Sequence, residues 1–248
     1  MAKATDEKTY ALFSTPANKK IIAELTKRTV KFFAFPPLET EKNILDKTKI
    51  EYLQAVKAFD WIVFTDLFAT DFFLQNLSEN EVDLFEMDAV KVCAFGEAVS
   101  DRLRFSQLHA DVIPVLIETE NIISDLTNYL NEQEFTELKF LVVKEISRKF
   151  AVEEKLIAKG AKVFELPVYD AKITNKNEAA KLKTLLKGGA IDEFVFSDAA
   201  DFFALQFYFP AECLSDVFTD IKISATGENA FQTAKEFGLR PLYFLLPG

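Results

Sequence analysis

Residues 62–77 read IVFTDLFATDFFLQNL, and residues 194–209 repeat the pattern as FVFSDAADFFALQFYF. Internal repetition constrains a fold more than composition does, because each copy must build the same kind of unit. Two further blocks keep the spacing. YALFSTPANKKIIAELTKRTVKFFAFPPLETEK (residues 10–42) aligns with KFLVVKEISRKFAVEEKLIAKGAKVFELPVYDAK (residues 139–172), which sets Pro36 against Pro167 at an offset of 131. VKVCAFGEAVSDRL aligns with IKISATGENAFQTA, which sets Gly96 against Gly227 at the same offset, while Phe64 faces Phe196 at 132. One spacing held across three blocks, with a single one-residue slip, implies a duplicated unit of roughly 130 residues.

Each unit alternates short β-branched and aromatic runs with helical patterns. WIVFTD, KVCAFG, KFLVVK, EFVFSD and KISATG each precede a helix-like segment, and strands separated by helices pair in parallel. In ANKKIIAELTKR the apolar Ile21, Ile22 and Leu25 share one side and lysines the other, as expected of a helix covering a sheet. The expected class is therefore α/β, with two similar domains, each a parallel sheet flanked by helices. The 248 residues, 49% hydrophobic and including 26 phenylalanines, are enough for two cores without disulfides or metals. Ligands of such open sheets sit beyond the carboxyl ends of the strands.

Composition excludes several function classes. A formal charge of −10 without a basic arm argues against nucleic-acid binding, which draws on lysine and arginine to release counterions. His109 is the only histidine and has no cysteine or histidine near it, so no metal site is expected. The acidic stretches ETEN and SENEVDLFEMD fit no calcium loop. Cys93 and Cys213 lie in apolar segments and read as reduced core residues. No apolar run reaches the roughly 18 residues of a membrane span, and MAKATDEKTY lacks the apolar segment of a signal peptide, so a cytoplasmic location is expected. No glycine-rich nucleotide-binding motif is present.

The strand-to-helix junctions carry the polar candidates. Asp66 and Asp198 stand where a strand ends and a helix begins, either capping the helix or facing a ligand. Thr65 and Ser197, one residue earlier, are ligand donors or ordinary turn residues. Gly96 and Gly227 follow strands and precede helices, where a glycine permits close approach of backbone to a ligand. The run DFFALQFYF reads as core.

The order of these motifs, with LPVYDAK at the centre and a strand-G-x(10)-G from Gly227 to Gly238 near the end, resembles the uroporphyrinogen-III synthase family over almost the whole chain. The segment LVVKEISRKFAVEEKLIAKGAKVFELPVYDAK carries most of the likeness. The resemblance implies a discontinuous domain of residues 1–35 and 173–248, an inserted domain of residues 42–166, and linker strands 36–41 and 167–172 forming a two-stranded ladder. It also implies a substrate, hydroxymethylbilane, a linear tetrapyrrole with eight carboxylates, closed to a macrocycle with one ring inverted and water lost, by a monomer using no cofactor. Carried over residue by residue, Tyr169 matches the family tyrosine that donates, receives or orients a proton, or else is a linker aromatic that only packs. Lys144 and Arg148 match basic positions that meet substrate carboxylates, or else belong to an exposed helix start. Thr65, Ser197, Thr226 and Gly227 are implied donors to the same acids. The chain departs from the family pattern at Thr15, Asp66, Val99, Asp198 and Ala230. A catalytically silent relative binding another ligand or a protein partner is the alternative; a two-domain sensor of the periplasmic-binding type is a third reading, disfavoured by the missing export signal.

Overall fold

The computed structural model describes residues 8–130, 134–173, 176–210 and 213–247; the segment 1–7, on which the signal-peptide reading partly rests, lies outside them. The chain opens with β1 (Tyr10–Phe13), α1 (Lys19–Lys27) and β2 (Phe32–Phe35). It continues through β3 (Leu38–Lys42), α2 (Lys47–Gln54), β4 (Trp61–Phe64), α3 (Leu67–Glu79), β5 (Lys91–Ala94), α4 (Glu97–Arg104), α5 (Thr119–Leu130), β6 (Lys139–Glu145), α6 (Ala151–Ala158) and β7 (Lys162–Ile173). The last third supplies α7 (Lys176–Lys187), β8 (Glu193–Phe196), α8 (Ala199–Tyr208), the single turn α9 (Leu214–Val217), β9 (Lys222–Ala225), α10 (Glu228–Glu236) and β10 (Pro241–Tyr243). Two compact units result, one of Met1–Glu39 with Lys172–Gly248 and one of Thr40–Ala171, so both crossings fall inside strands, β3 and β7.

The first unit holds a five-stranded sheet in the order β10-β9-β8-β1-β2, with every neighbouring pair parallel. β1 and β8 are buried at all four positions, the mark of strands covered on both faces. On one face Leu25, with Ile21 and Ile22 beside it, packs on Tyr10, Leu12 and Val195, as the amphipathic pattern of α1 dictates. The other face is aromatic: Phe196 stacks on Phe194 at 4.6 Å and on Phe202 at 4.1 Å between centroids, and Phe202 in turn stacks on Phe237. The DFFALQFYF run is therefore core.

The second unit holds the order β3-β7-β6-β4-β5, with β7, β6, β4 and β5 paired in parallel. In α5, Ile122, Ile123, Leu126 and Leu130 line one side of the helix and pack on Trp61, Val63, Phe140 and Val142. β7 is a single twelve-residue strand that joins the sheet to β3. Its register with β6 shifts between Lys144 and Glu145, so that Lys144 faces Pro167 and Glu145 faces Tyr169. Such an irregularity re-aims side chains, and here the successive residues Val168 and Tyr169 are both fully buried.

One expectation is corrected. Cys93 is buried, but Cys213 is exposed, its thiol 3.1 Å from the Ser215 hydroxyl at the start of α9. The apolar neighbours of Cys213 in sequence turn inward, with Leu214 and Phe218 buried, while the residue that leads into this short turn stays outside. Among the described residues no helix is long and apolar enough to cross a membrane.

Candidate functional site

Both units gather polar side chains at the carboxyl ends of their parallel strands. In the second unit, Asp66 precedes α3 and its Oδ1 accepts from the Ala69 amide at 2.7 Å, which is an N-cap. Its Oδ2 accepts from the Thr65 hydroxyl at 3.0 Å and from the Tyr169 hydroxyl at 3.0 Å. The Thr65 hydroxyl also lies 3.0 Å from the Val143 carbonyl. Asp66 and Tyr169 are 0% exposed and Thr65 is 1% exposed. The Tyr169 ring is held by Phe72, stacked at 5.7 Å, and by Phe68 at 6.0 Å.

Burial pushes the Asp66 carboxyl above the usual carboxylate range, outweighing the Ala69 amide, the positive charge of Arg148 and the two hydroxyls, all of which favour the anion. Burial, followed by the Asp66 charge and its hydrogen bond, pushes the Tyr169 phenol far up, so the hydroxyl keeps its proton at neutral pH. Burial lowers Arg148, against the opposing pull of Asp66, Tyr169 and Glu145. The Arg148 side chain is half-buried, its Nη1 is sequestered from solvent, and the guanidinium lies 4.4 Å from the centroid of the Phe150 ring.

The first unit builds its counterpart from different residues. Asp198 caps α8 through the Ala200 amide at 2.9 Å but is exposed. The buried carboxylate here is Asp201, whose Oδ2 accepts from the Ser197 amide at 3.3 Å and the Asn18 side-chain amide at 3.5 Å. The Ser197 hydroxyl donates to Asn18 Oδ1 at 2.6 Å, and the Asn18 amide also reaches the Thr15 hydroxyl at 3.1 Å. Sequence reasoning did not find Asn18 or Asp201. The repeat pairs Asp201 with Ala69, and a polar residue that lacks an echo gives no signal of this kind.

Burial first, then the Asp198 charge, raises Asp201 to about 6. A carboxyl whose folded value lies above its unfolded value of roughly 4 contributes stability that is complete below pH 4 and is lost as pH rises through 6. Asp201→Asn, which keeps an acceptor oxygen without the charge, is therefore expected to raise the unfolding free energy by about 2 kcal/mol at pH 7.5 and by little at pH 4. Urea unfolding of both proteins at the two pH values checks this; an equal difference at both would show that the charge is not the cause.

The four junctions now separate into two kinds. α3 and α8 start on aspartates whose side chains each accept one first-turn amide, whereas α4 and α10 start on Gly96 and Gly227, which supply no side-chain cap. Gly96 is buried with a φ of 94°, a left-handed conformation that the backbone requires of glycine. Gly227 is extended, and a Cβ added there would meet nothing within 4 Å, so the fold does not require it to be glycine. Thr226, beside it, is exposed.

Of the two readings of Lys144, the exposed helix start is corrected: the lysine is a strand residue, 2% exposed. Its ammonium is 2.7 Å from Glu153 and 3.2 Å from Glu165, so its charge is taken up within the fold, and Glu153 in turn accepts from the Phe150 amide at the start of α6.

Duplicated parallel-sheet units with polar knots at their strand ends define a two-unit α/β protein of the class that meets ligands at the carboxyl edges of its sheets. The chain belongs to the uroporphyrinogen-III synthase family: the family model described as Uroporphyrinogen-III synthase HemD matches residues 19–244. A solved structure of Thermus thermophilus uroporphyrinogen III synthase is similar with a TM-score of 0.65 at 17% identity, covering 95% of this chain and 92% of that one. A second crystal form of the wild-type Thermus thermophilus enzyme gives 0.64 at 18% identity, covering 95% and 91%. At these identities the likeness establishes the fold. No curated protein matches the sequence.

Proposed function

We propose that the protein is a uroporphyrinogen-III synthase that closes hydroxymethylbilane to uroporphyrinogen III, inverting ring D and losing water. The family match supports the reaction. The observation in the structure that favours it is the contrast among the junctions, with an aspartate side chain accepting one first-turn amide at α3 and one at α8, while α4 and α10 begin on glycines that supply no side-chain cap. Main-chain amides at a helix start suit carboxylates, and the substrate carries eight. Burial disfavours the anion at Asp66, and Asp198 accepts a helix amide, so both oppose a polyanion less than two free aspartates would.

The chemistry asks little of a nucleophile. Loss of water and carbon–carbon bond formation leave the substrate without net oxidation, so no electron carrier is needed, and the reading is of a cofactor-independent lyase. The larger task is to hold a flexible chain so that the correct carbon reacts, which is catalysis by positioning. Thr226 and Gly227 are assigned to bind carboxylates at the start of α10, with Gly96 shaping the start of α4. Arg148, whose charge bears on Asp66 and Tyr169, is assigned to a substrate carboxylate. Lys144 is left out of the substrate contacts because its charge is already matched by Glu153 and Glu165.

The deciding experiment gives purified protein freshly generated hydroxymethylbilane and separates the type III isomer from the type I isomer that forms spontaneously. Predominant type III is expected; an isomer ratio equal to that without protein would end the enzyme reading. Within this reading, Gly227→Ala is expected to leave stability within about 0.5 kcal/mol of the parent, since the added methyl meets nothing. The same methyl would stand where a carboxylate approaches the amides, so the Michaelis constant is expected to rise several-fold. An unchanged constant would remove Gly227 from the binding site.

A further inference from the structure

We propose that Asp66 is a positioning residue for Tyr169, acting on the reaction through the direction of the tyrosine hydroxyl, an inference that rests on the synthase reading above. The two copies of this aspartate separate what a cap needs from what Asp66 does. Asp198 caps α8 with one oxygen and remains in solvent. Asp66 caps α3 with Oδ1 alone, so Oδ2 is surplus to the cap, and it is this oxygen that takes the Tyr169 and Thr65 hydroxyls.

Capping does not explain the burial either. A carboxylate removed from water carries a large desolvation penalty, and a serine, with one acceptor oxygen, caps a helix about as well as an aspartate. What the buried carboxylate adds is a fixed acceptor for a phenol whose ring is already clamped by Phe72 and Phe68. With the ring immobile, the hydroxyl proton is the one remaining freedom of Tyr169, and Asp66 Oδ2 sets it. The register shift between Lys144 and Glu145 brings Tyr169 opposite Glu145, and the charges of Arg148 and Glu145 bear on the tyrosine from that side.

The test uses Asp66→Ser, Tyr169→Phe and the double variant, with turnover to the type III isomer, Michaelis constant and urea midpoint measured for each. Serine keeps the cap of α3 and withdraws the acceptor from Tyr169. Asp66→Ser is expected to lower kcat about tenfold, on the scale of one orienting group, with KM unchanged and the urea midpoint lowered about as far as in Tyr169→Phe, which loses the same hydrogen bond. In the Tyr169→Phe background the same change is expected to cause no further loss, because a residue acting only through the hydroxyl has nothing left to act on. Full turnover by Asp66→Ser, or losses that multiply in the double variant, would overturn the proposal. Asp66→Asn, which also caps but offers an amide to the tyrosine, supplies the same comparison if the serine variant fails to fold. A parent protein that forms no type III isomer would end the synthase reading and this proposal with it, an outcome distinct from an active parent indifferent to Asp66→Ser.

Discussion

Lys144→Met is expected to lower the unfolding free energy by roughly 3 kcal/mol, the scale found when one member of a buried ion pair is removed. Its side chain is 2% exposed, its ammonium lies within 3.2 Å of two carboxylates, and Glu153, which stays behind, is itself buried. The loss comes mainly from leaving that charge without its counterion. Lys144→Met combined with Glu153→Gln is therefore expected to recover most of the stability, since the glutamine still accepts from the Phe150 amide without a net charge. Urea unfolding of the single and double variants decides the matter. A single variant within about 1 kcal/mol of the parent would mean that water or another group takes over the pairing.

Tyr169→Phe is expected to slow formation of the type III isomer by about ten- to a hundred-fold, the range of a single orienting or acid-base group. The hydroxyl is the only group removed, and the ring that packs on Phe72 and Phe68 is kept. Asp66 loses one of its hydrogen bonds, which costs on the order of 1 kcal/mol of stability, so the fold survives the change. The effect is expected in kcat, because an orienting or acid-base group acts on the chemical step. A variant with the parent's rate would remove Tyr169 from the mechanism.

Much of the architecture was legible because the chain states it twice. The recurring strand, turn and helix at residues 62–77 and 194–209 identified parallel sheets, and the apolar sides of α1 and α5 identified the layers that cover them. What escaped was the content of each junction. Asp66 and Asp198 occupy equivalent positions and both cap a helix, yet one is fully buried and the other lies in solvent. No local pattern encodes that difference, since it depends on whether a partner such as Tyr169 comes from a distant strand.

The exposed-helix alternative for Lys144 and the core reading of Cys213 fail for a related reason. A lysine near the end of an apolar strand looks solvated until the acceptors on neighbouring elements are known, and a cysteine among apolar residues looks buried until the turn that carries it is traced. Asn18 and Asp201 gave no hint because their counterparts in the other copy are Lys149 and Ala69, and repetition reveals only what both copies retain.

The order of strands in the first sheet also governs how the molecule comes into being. β1 lies between β2, which follows it after α1, and β8, whose Glu193 pairs with Tyr10. During synthesis, then, the apolar segment Tyr10–Phe13 leaves the ribosome long before its second neighbour exists, while residues 40–171 hold every strand their own sheet needs apart from the first two residues of β3 and the last two of β7. The inserted unit can pair its strands from one contiguous segment, whereas the sheet that contains β1 is completed only by strands that follow residue 171.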